Sequence, residues 1–237
     1  MILYYVRHGD PIYDPDSLTE LGQKQALALS KRFAKYGLDE IYSSSSVRAM
    51  QTAQPTAKLL GKDITVFDWA HENNAWVKMS VQKENRRIWG FQDKETISKF
   101  NSFDVFNMGK NWYNHPYFVD TEFKAFTCSI NEKVDEFLFS LGYAHDRENN
   151  VYKAVKRNSK KIALFAHQGI GMSILSSILD IPYPLFSTHF DLSHSSVTAI
   201  YFDEKSEYVV PKVLQLANDS HLYKEEVNCK YNNMYEV

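Results

Sequence analysis

The chain opens on an almost unbroken apolar run, Ile2–Val6, the pattern of a strand covered on both faces of its sheet. Residues 10–17 hold two prolines and three aspartates and predict a loop. A helix is expected from Thr19, an N-cap residue, to Tyr36, with Leu21, Leu29, Phe33 and Tyr36 as its apolar stripe and Gly37 closing it. Ile41-Tyr42 reads as a short strand and Ser43–Ser46 as a polar turn. Residues 47–60 then form a second helix stopped by Gly61, and Ile64–Phe67 a third strand.

Periodicity weakens from about 69 to 120, where aromatics such as Trp76, Trp89, Phe100 and Trp112 sit among charges. This reads as an irregular or helical insertion packing over the sheet, either a partly apolar lid or a second core. Phe123, Phe126, Ile130, Val134, Phe137, Leu138 and Leu141 restore helical spacing over about 121–141, and Gly142 ends that helix. Residues 143–161 are polar and predict a loop or a short helix. Lys161–Ala166 is a buried strand and Gly169–Leu179 a helix. Ser196–Phe202 and Tyr208–Leu216 are two strands around a charged turn, followed by a polar tail from about 219. The alternation predicts an α/β protein: a three-layer sandwich with a mostly parallel central sheet flanked by helices. The aromatic-rich insertion lies over the carboxyl ends of the strands, and residues 1–237 form one domain.

Net charge is −2, so nothing demands a nucleic-acid partner, and any anion site must be a local concentration of Arg and His. The two cysteines, Cys128 and Cys229, lack metal-ligand spacing and read as free thiols. No apolar stretch approaches the ~18 residues of a membrane span, and no secretory leader is recognisable. A cytoplasmic protein without membrane partners, cofactor or metal is expected; its oligomeric state is not legible.

Ligands of open α/β sheets sit beyond the carboxyl ends of the strands. Arg7-His8-Gly9 follows the first strand, and His167-Gln168-Gly169 follows a later one where a helix begins. Free N–H groups at a helix start suit an anion. Arg48, at the start of the second helix, fits the same place. Converging on one phosphate is the natural reading of three such ends. His115, His145 and His221 read as surface residues. His189 and His194 are not spaced for a metal but lie in a loop that can rim the site.

The ordered motifs resemble those of the histidine phosphatase superfamily, the phosphoglycerate-mutase-like enzymes. They are Val6-Arg7-His8-Gly9, Leu18-Thr19-x-x-Gly22-x-x-Gln25-Ala26, Ser44-Ser45-x-x-Arg48-Ala49-x-Gln51-Thr52-Ala53, a Glu after the third strand, and His167-x-Gly169. They cover roughly residues 1–75 and 160–200, not the aromatic middle. The resemblance implies His8 as nucleophile forming a phosphohistidine. It implies Arg7, Arg48 and His167 as clamps on the phosphoryl oxygens, with Gln168 offering its backbone N–H in place of a glycine. It also implies Glu72 as the general acid and then base, with Asp68 and His71 as competitors for that role. The expected activity is metal-independent hydrolysis of a small phosphate monoester. Mutases of the family usually carry an acidic residue and a Ser after the Gly and an Asn six positions past the catalytic His; here Asp10-Pro11 follows Gly9 and Asp14 stands at the sixth position, although Lys83, Arg86 and Arg87 could contact a second phosphate or a carboxylate. Mutase-type phosphoryl transfer and non-catalytic phospho-ligand binding remain the alternatives.

Overall fold

Strand β1 (Ile2–Arg7) sets the layering. Leu3 and Tyr5 face one core, Tyr4 and Val6 the other, as successive strand side chains must. The computed structural model describes residues 1–232. After β1 come the hairpin β2 (Pro11–Tyr13) and β3 (Asp16–Leu18), helix α1 (Glu20–Tyr36), β4 (Glu40–Ser44), α2 (Val47–Leu60) and β5 (Ile64–Phe67). The aromatic segment follows as α3 (Glu72–Lys78), the hairpin β6 (Ser80–Gln82) and β7 (Arg87–Trp89), α4 (Lys94–Phe100), α5 (Phe103–Asn107) and short 3-10 turns. Then come α6 (Phe123–Ser140), β8 (Tyr143–Asp146), β9 (Val151–Ala154), β10 (Lys161–Ala166), α7 (Gln168–Leu179) and α8 (Tyr183–His189). The chain continues through β11 (Val197–Tyr201), β12 (Tyr208–Val209), β13 (Lys212–Asn218) and α9 (Ser220–Lys224).

Among the described residues the main sheet has six strands, ordered β13-β11-β1-β10-β4-β5. β1, β10, β4 and β5 are mutually parallel, and β11 is antiparallel to both its neighbours. The carboxyl ends of β1, β10 and β4 therefore share one edge, and the loop entering β11 joins them there. One core lies between the sheet and α1/α2, with Leu29, Phe33, Ala53 and Ala57 against Val6 and Phe165. The other lies under α6 and α7. Helix α7 is buried along nearly its whole length, which is why its sequence is apolar without an amphipathic stripe.

Phe100, Trp112, Phe118 and Phe123 pack ring against ring in the second core. Trp76, Trp89 and Phe91 stack near the start of α7, with Phe91 inside the same core and Trp89 packed against it. The aromatic segment is therefore an extension of the second core that also borders the start of α7.

Several expectations change. Residues 10–17 are not only a loop, since Pro11–Tyr13 pairs with Asp16–Leu18. Residues 143–161 hold the hairpin β8–β9, which joins β12 in a separate three-stranded sheet. Only Tyr143 and Tyr152 are fully buried there, so the alternation is too sparse to read. Tyr208–Leu216 is two strands, divided at Pro211, which has no N–H for a ladder. His145 and His221 are not surface residues. The His145 side chain is fully covered between Asp135 and Asp180, and His221 is buried against Ser195. Tyr36, assigned to a buried stripe, is half exposed. The polar tail is anchored: Gln25 donates to Asn228 O at 3.0 Å, and His194 N–H donates to Lys230 O at 2.8 Å.

Candidate active site

His8 and His167 stand one residue past the paired ends of β1 and β10, where Arg7 is opposite Ala166. The His8 N–H donates to Ala166 O at 2.9 Å, which ties the two turns together. The chain leaves this point through Gly9 because there is no room for a side chain. A Cβ on Gly9 would come within 2.7 Å of Gly22 O, and one on Gly22 within 2.2 Å of Asp10 O. The glycines of two motifs are thus one crossing of backbones. Gly169 is required for a similar reason, since the Trp89 ring lies where its Cβ would be.

His8 is buried, with Nδ1 2.7 Å from Gly9 O. A carbonyl only accepts, so Nδ1 carries the proton and Nε2 of the neutral ring is free. Burial, and then the nearness of His167 and of the Arg7 and Arg48 charges, push the His8 pKa well below its ordinary value. The imidazole is therefore neutral, as a nucleophile requires.

Three nitrogen-bearing side chains surround it. The His167 ring centre is 5.1 Å from that of His8. Its Nε2 meets Ser44 Oγ at 2.9 Å and Ser46 Oγ at 3.2 Å, so the serines of the Ser-Ser-x-x-Arg motif orient it. Ser46 also caps α2, accepting from Ala49 N–H. Arg48, in the first turn of that helix, donates to Asp16 Oδ1 at 2.7 Å and lies over the Tyr13 ring at 5.5 Å. The β2–β3 hairpin is therefore its holder. Arg7 donates to Leu192 O and, at 2.8 Å, to His194 Nε2. Arg7 Nε, Arg48 Nε and His167 Nδ1 are buried and have no partner among the described residues. An unsatisfied buried polar group costs about 1–3 kcal/mol, so three of them around one histidine mark a place built for an acceptor-rich anion.

Glu72 opens α3, and its carboxylate accepts the N–H groups of Gly169 and Ile170, each at 2.9 Å. It occupies the start of α7, where the helix presents unpaired donors. Burial raises its pKa, against the pull of those two N–H groups and of Arg48 and Arg7. Asp68 is exposed and does not compete for this position. His71 caps α3 with its ring 6.0 Å from that of His167, so it does border the site. Gln168 is buried with its side chain turned to Asp191.

The structure thus gathers Arg7, His8, Arg48, Glu72 and His167. The Asp10 charge is paired: Lys230 Nζ lies 2.8 Å from Oδ1, and Thr19 donates to Oδ2. Lys83 is engaged with Asp93 and Glu95. Arg86 and Arg87 line a cleft of about 730 Å³ that also touches Gln168, His189, Trp76 and Phe91. Asp16, Ser46 and His194 are the residues sequence reasoning undervalued. For Ser46 the signal was its N-cap position before Arg48; for His194 it was only its place in a loop entering the sheet.

Three comparisons bear on this arrangement. The model of the histidine phosphatase superfamily, branch 1, matches residues 3–102. A putative phosphoserine phosphatase 2 of Hydrogenobacter thermophilus is 26% identical over 219 residues, covering 87% of this chain and 93% of that protein. Among solved structures, the phosphoserine phosphatase of Entamoeba histolytica in complex with 3-phosphoglyceric acid superimposes with a TM-score of 0.59. It is 18% identical, over 93% of this chain and 98% of that one. A mycobacterial glucosyl-3-phosphoglycerate phosphatase gives 0.56 at 18% identity, over 90% and 97%. The alpha-ribazole phosphatase of Shigella flexneri gives 0.55 at 17%, over 92% and 97%. These structures share the fold, and the family model matches the segment that carries the Arg-His-Gly and Ser-Ser-x-x-Arg motifs. Residues 3–102 thus match the histidine phosphatase superfamily, branch 1, and the chain as a whole shares the fold of these phosphatase structures.

Proposed function

We propose that the protein is a phosphomonoesterase working through a phosphohistidine on His8. His8 Nε2 attacks phosphorus while the bond from phosphorus to the ester oxygen breaks. Glu72, in its carboxylic acid form, gives a proton to the departing oxygen. Water then attacks the phosphohistidine, Glu72 takes its proton, and inorganic phosphate leaves. Arg7, Arg48 and His167 hold the phosphoryl oxygens throughout. Phosphoryl transfer depends mostly on positioning and on stabilising charge spread over three oxygens, which suits fixed guanidinium donors. The observation that carries this reading is the free Nε2 of neutral His8 among the unpartnered nitrogens of Arg7, Arg48 and His167. The raised pKa of Glu72 supports its part, since a general acid must still hold a proton near neutral pH.

The substrate is a small ester, and Arg86, Arg87 and His189 in the adjoining cleft favour one bearing a second acidic or polar group. Phosphoserine and 3-phosphoglycerate, the ligands of similar structures, are of this kind. Release of inorganic phosphate from p-nitrophenyl phosphate and from a panel of phosphorylated metabolites tests the proposal. Wild type is expected to hydrolyse them without added metal, with acid-bearing esters preferred. His8→Ala is expected to lose activity on the order of 10³-fold or more. Interconversion of 2- and 3-phosphoglycerate without phosphate release would point to a mutase. Binding without turnover in wild type would point to a binding protein.

A further inference from the structure

We infer that His194 is a positioning residue: its Nε2 accepts from Arg7 and fixes the guanidinium that grips the phosphoryl group. The inference rests on the phosphatase reading of the site and adds a residue to it.

Arg7 has no acceptor, so the 2.8 Å contact between its Nη2 and His194 Nε2 has one polarity. His194 must be neutral, with its proton on Nδ1. That atom lies 3.5 Å from Asp10 Oδ1, which is in turn 2.8 Å from Lys230 Nζ. Nδ1 makes no hydrogen bond among the described residues, so Asp10 and its Lys230 partner stand near the ring while the bond to Arg7 is what fixes it. Leu192 O accepts from the other terminal nitrogen of Arg7, so one short loop holds both. With both outer nitrogens held, Arg7 Nε remains the buried donor without a partner.

The loop is built to present His194. Ser195 takes a left-handed φ of 66°, unusual for a residue with a side chain. Its N–H donates to His8 O at 3.0 Å, and Ser196 O accepts from Arg7 N–H at 3.1 Å. The His194 N–H is bound to Lys230 O, and its ring, 1% exposed, stands 5.7 Å from the His8 ring. With Nε2 committed to Arg7, His194 has no lone pair for a reacting atom, which separates it from Glu72. Burial and the Arg7 charge push its pKa down to about 2, consistent with a ring that stays neutral.

The test uses the full chain and two probes, turnover of p-nitrophenyl phosphate and calorimetric binding of inorganic phosphate. His194→Phe keeps a ring without nitrogens and is expected to raise KM and the phosphate Kd about tenfold. His194→Gln, whose Oε1 reaches about as far as Nε2, is expected to bring both within about threefold of wild type. Equal losses in the two variants, or a lowered Tm with KM and Kd unchanged, would overturn the assignment. If His194→Phe does not fold, His194→Leu replaces it under the same criteria. Wild type that binds phosphate without turnover defeats the hydrolytic reading alone, and the Kd comparison still decides His194. Wild type that binds no phosphate overturns both.

Discussion

His8 and His145 are both buried histidines, and their surroundings send them in opposite directions. His8 meets Arg7, Arg48 and a second histidine, and its pKa falls. His145 lies between Asp135 at 2.8 Å and Asp180 at 2.9 Å, with Arg147 and Lys110 closing the network, and its pKa rises even though burial opposes this. In the second cluster the carboxylates and the cations offset one another. In the first, cationic and neutral donors crowd together and several remain unpaired. A cluster whose donors and acceptors are matched holds a fold together; one with unpartnered donors has them to offer a ligand. The Lys110 end of the His145 network ties the aromatic segment to the end of α7, which gives that cluster its structural task.

The sharpest way to break this contrast is to delete each histidine. His8→Ala should remove turnover while costing little stability. His145→Ala should leave the folded protein active but destabilise it by about 2–3 kcal/mol in a denaturant melt. That is less than the 3–5 kcal/mol of a fully buried pair because Asp135 is a third exposed. If His145→Ala lost turnover at unchanged stability, the division between the clusters would be wrong.

Glu72→Gln is expected to lower kcat by about 10²–10⁴-fold. The proposed first step needs Glu72 protonated, and burial raises its pKa. The wild-type kcat should therefore decline as pH rises past that pKa, and the variant should lack this limb. A Gln variant with the same alkaline limb would assign the proton to another group, and His71 is the nearest candidate.

The last contrast is in stability against pH. His8, His167, His194 and His221 all have lowered pKa values, chiefly from burial. Below about pH 6.5 the unfolded chain takes up protons that these rings refuse, so each lowers stability by up to about 1.4 kcal/mol per pH unit. For His221 the loss ends near its folded value of about 4. His145 has the opposite sign: its contribution is full below its unfolded pKa and disappears as pH rises through the raised folded value. Denaturant melts from pH 4 to 8 should show the acid loss, and His145→Ala should flatten the alkaline side.

Much of the site was legible because its parts are local. An apolar run ending in Arg7-His8-Gly9 specifies a strand end whatever surrounds it. Ser46 before Arg48 specifies a helix start, and the spacing of Phe123 to Leu141 specifies a buried helical face. Gly9 and Gly22 were legible as motif members, but not as one steric crossing. The hairpin β8–β9 escaped notice because two buried tyrosines do not make a visible alternation. His145, His194 and His221 were misjudged or undervalued because the type of residue does not decide a histidine's state.

What the linear order of residues settled, then, was the elements, their succession, and the placing of His8, Arg48 and His167 at strand and helix ends. Those follow from short-range sterics, capping and periodicity, which need only neighbours in the chain. Charge state and orientation were settled by folding. Arg7 meets His194 187 residues away, Glu72 reaches Gly169 97 residues away, and His145 meets Asp180 35 residues away. Whether such a group is a ligand clamp or a structural tie depends on burial and on the sign of the charges beside it, and only the packed sheet brings those together.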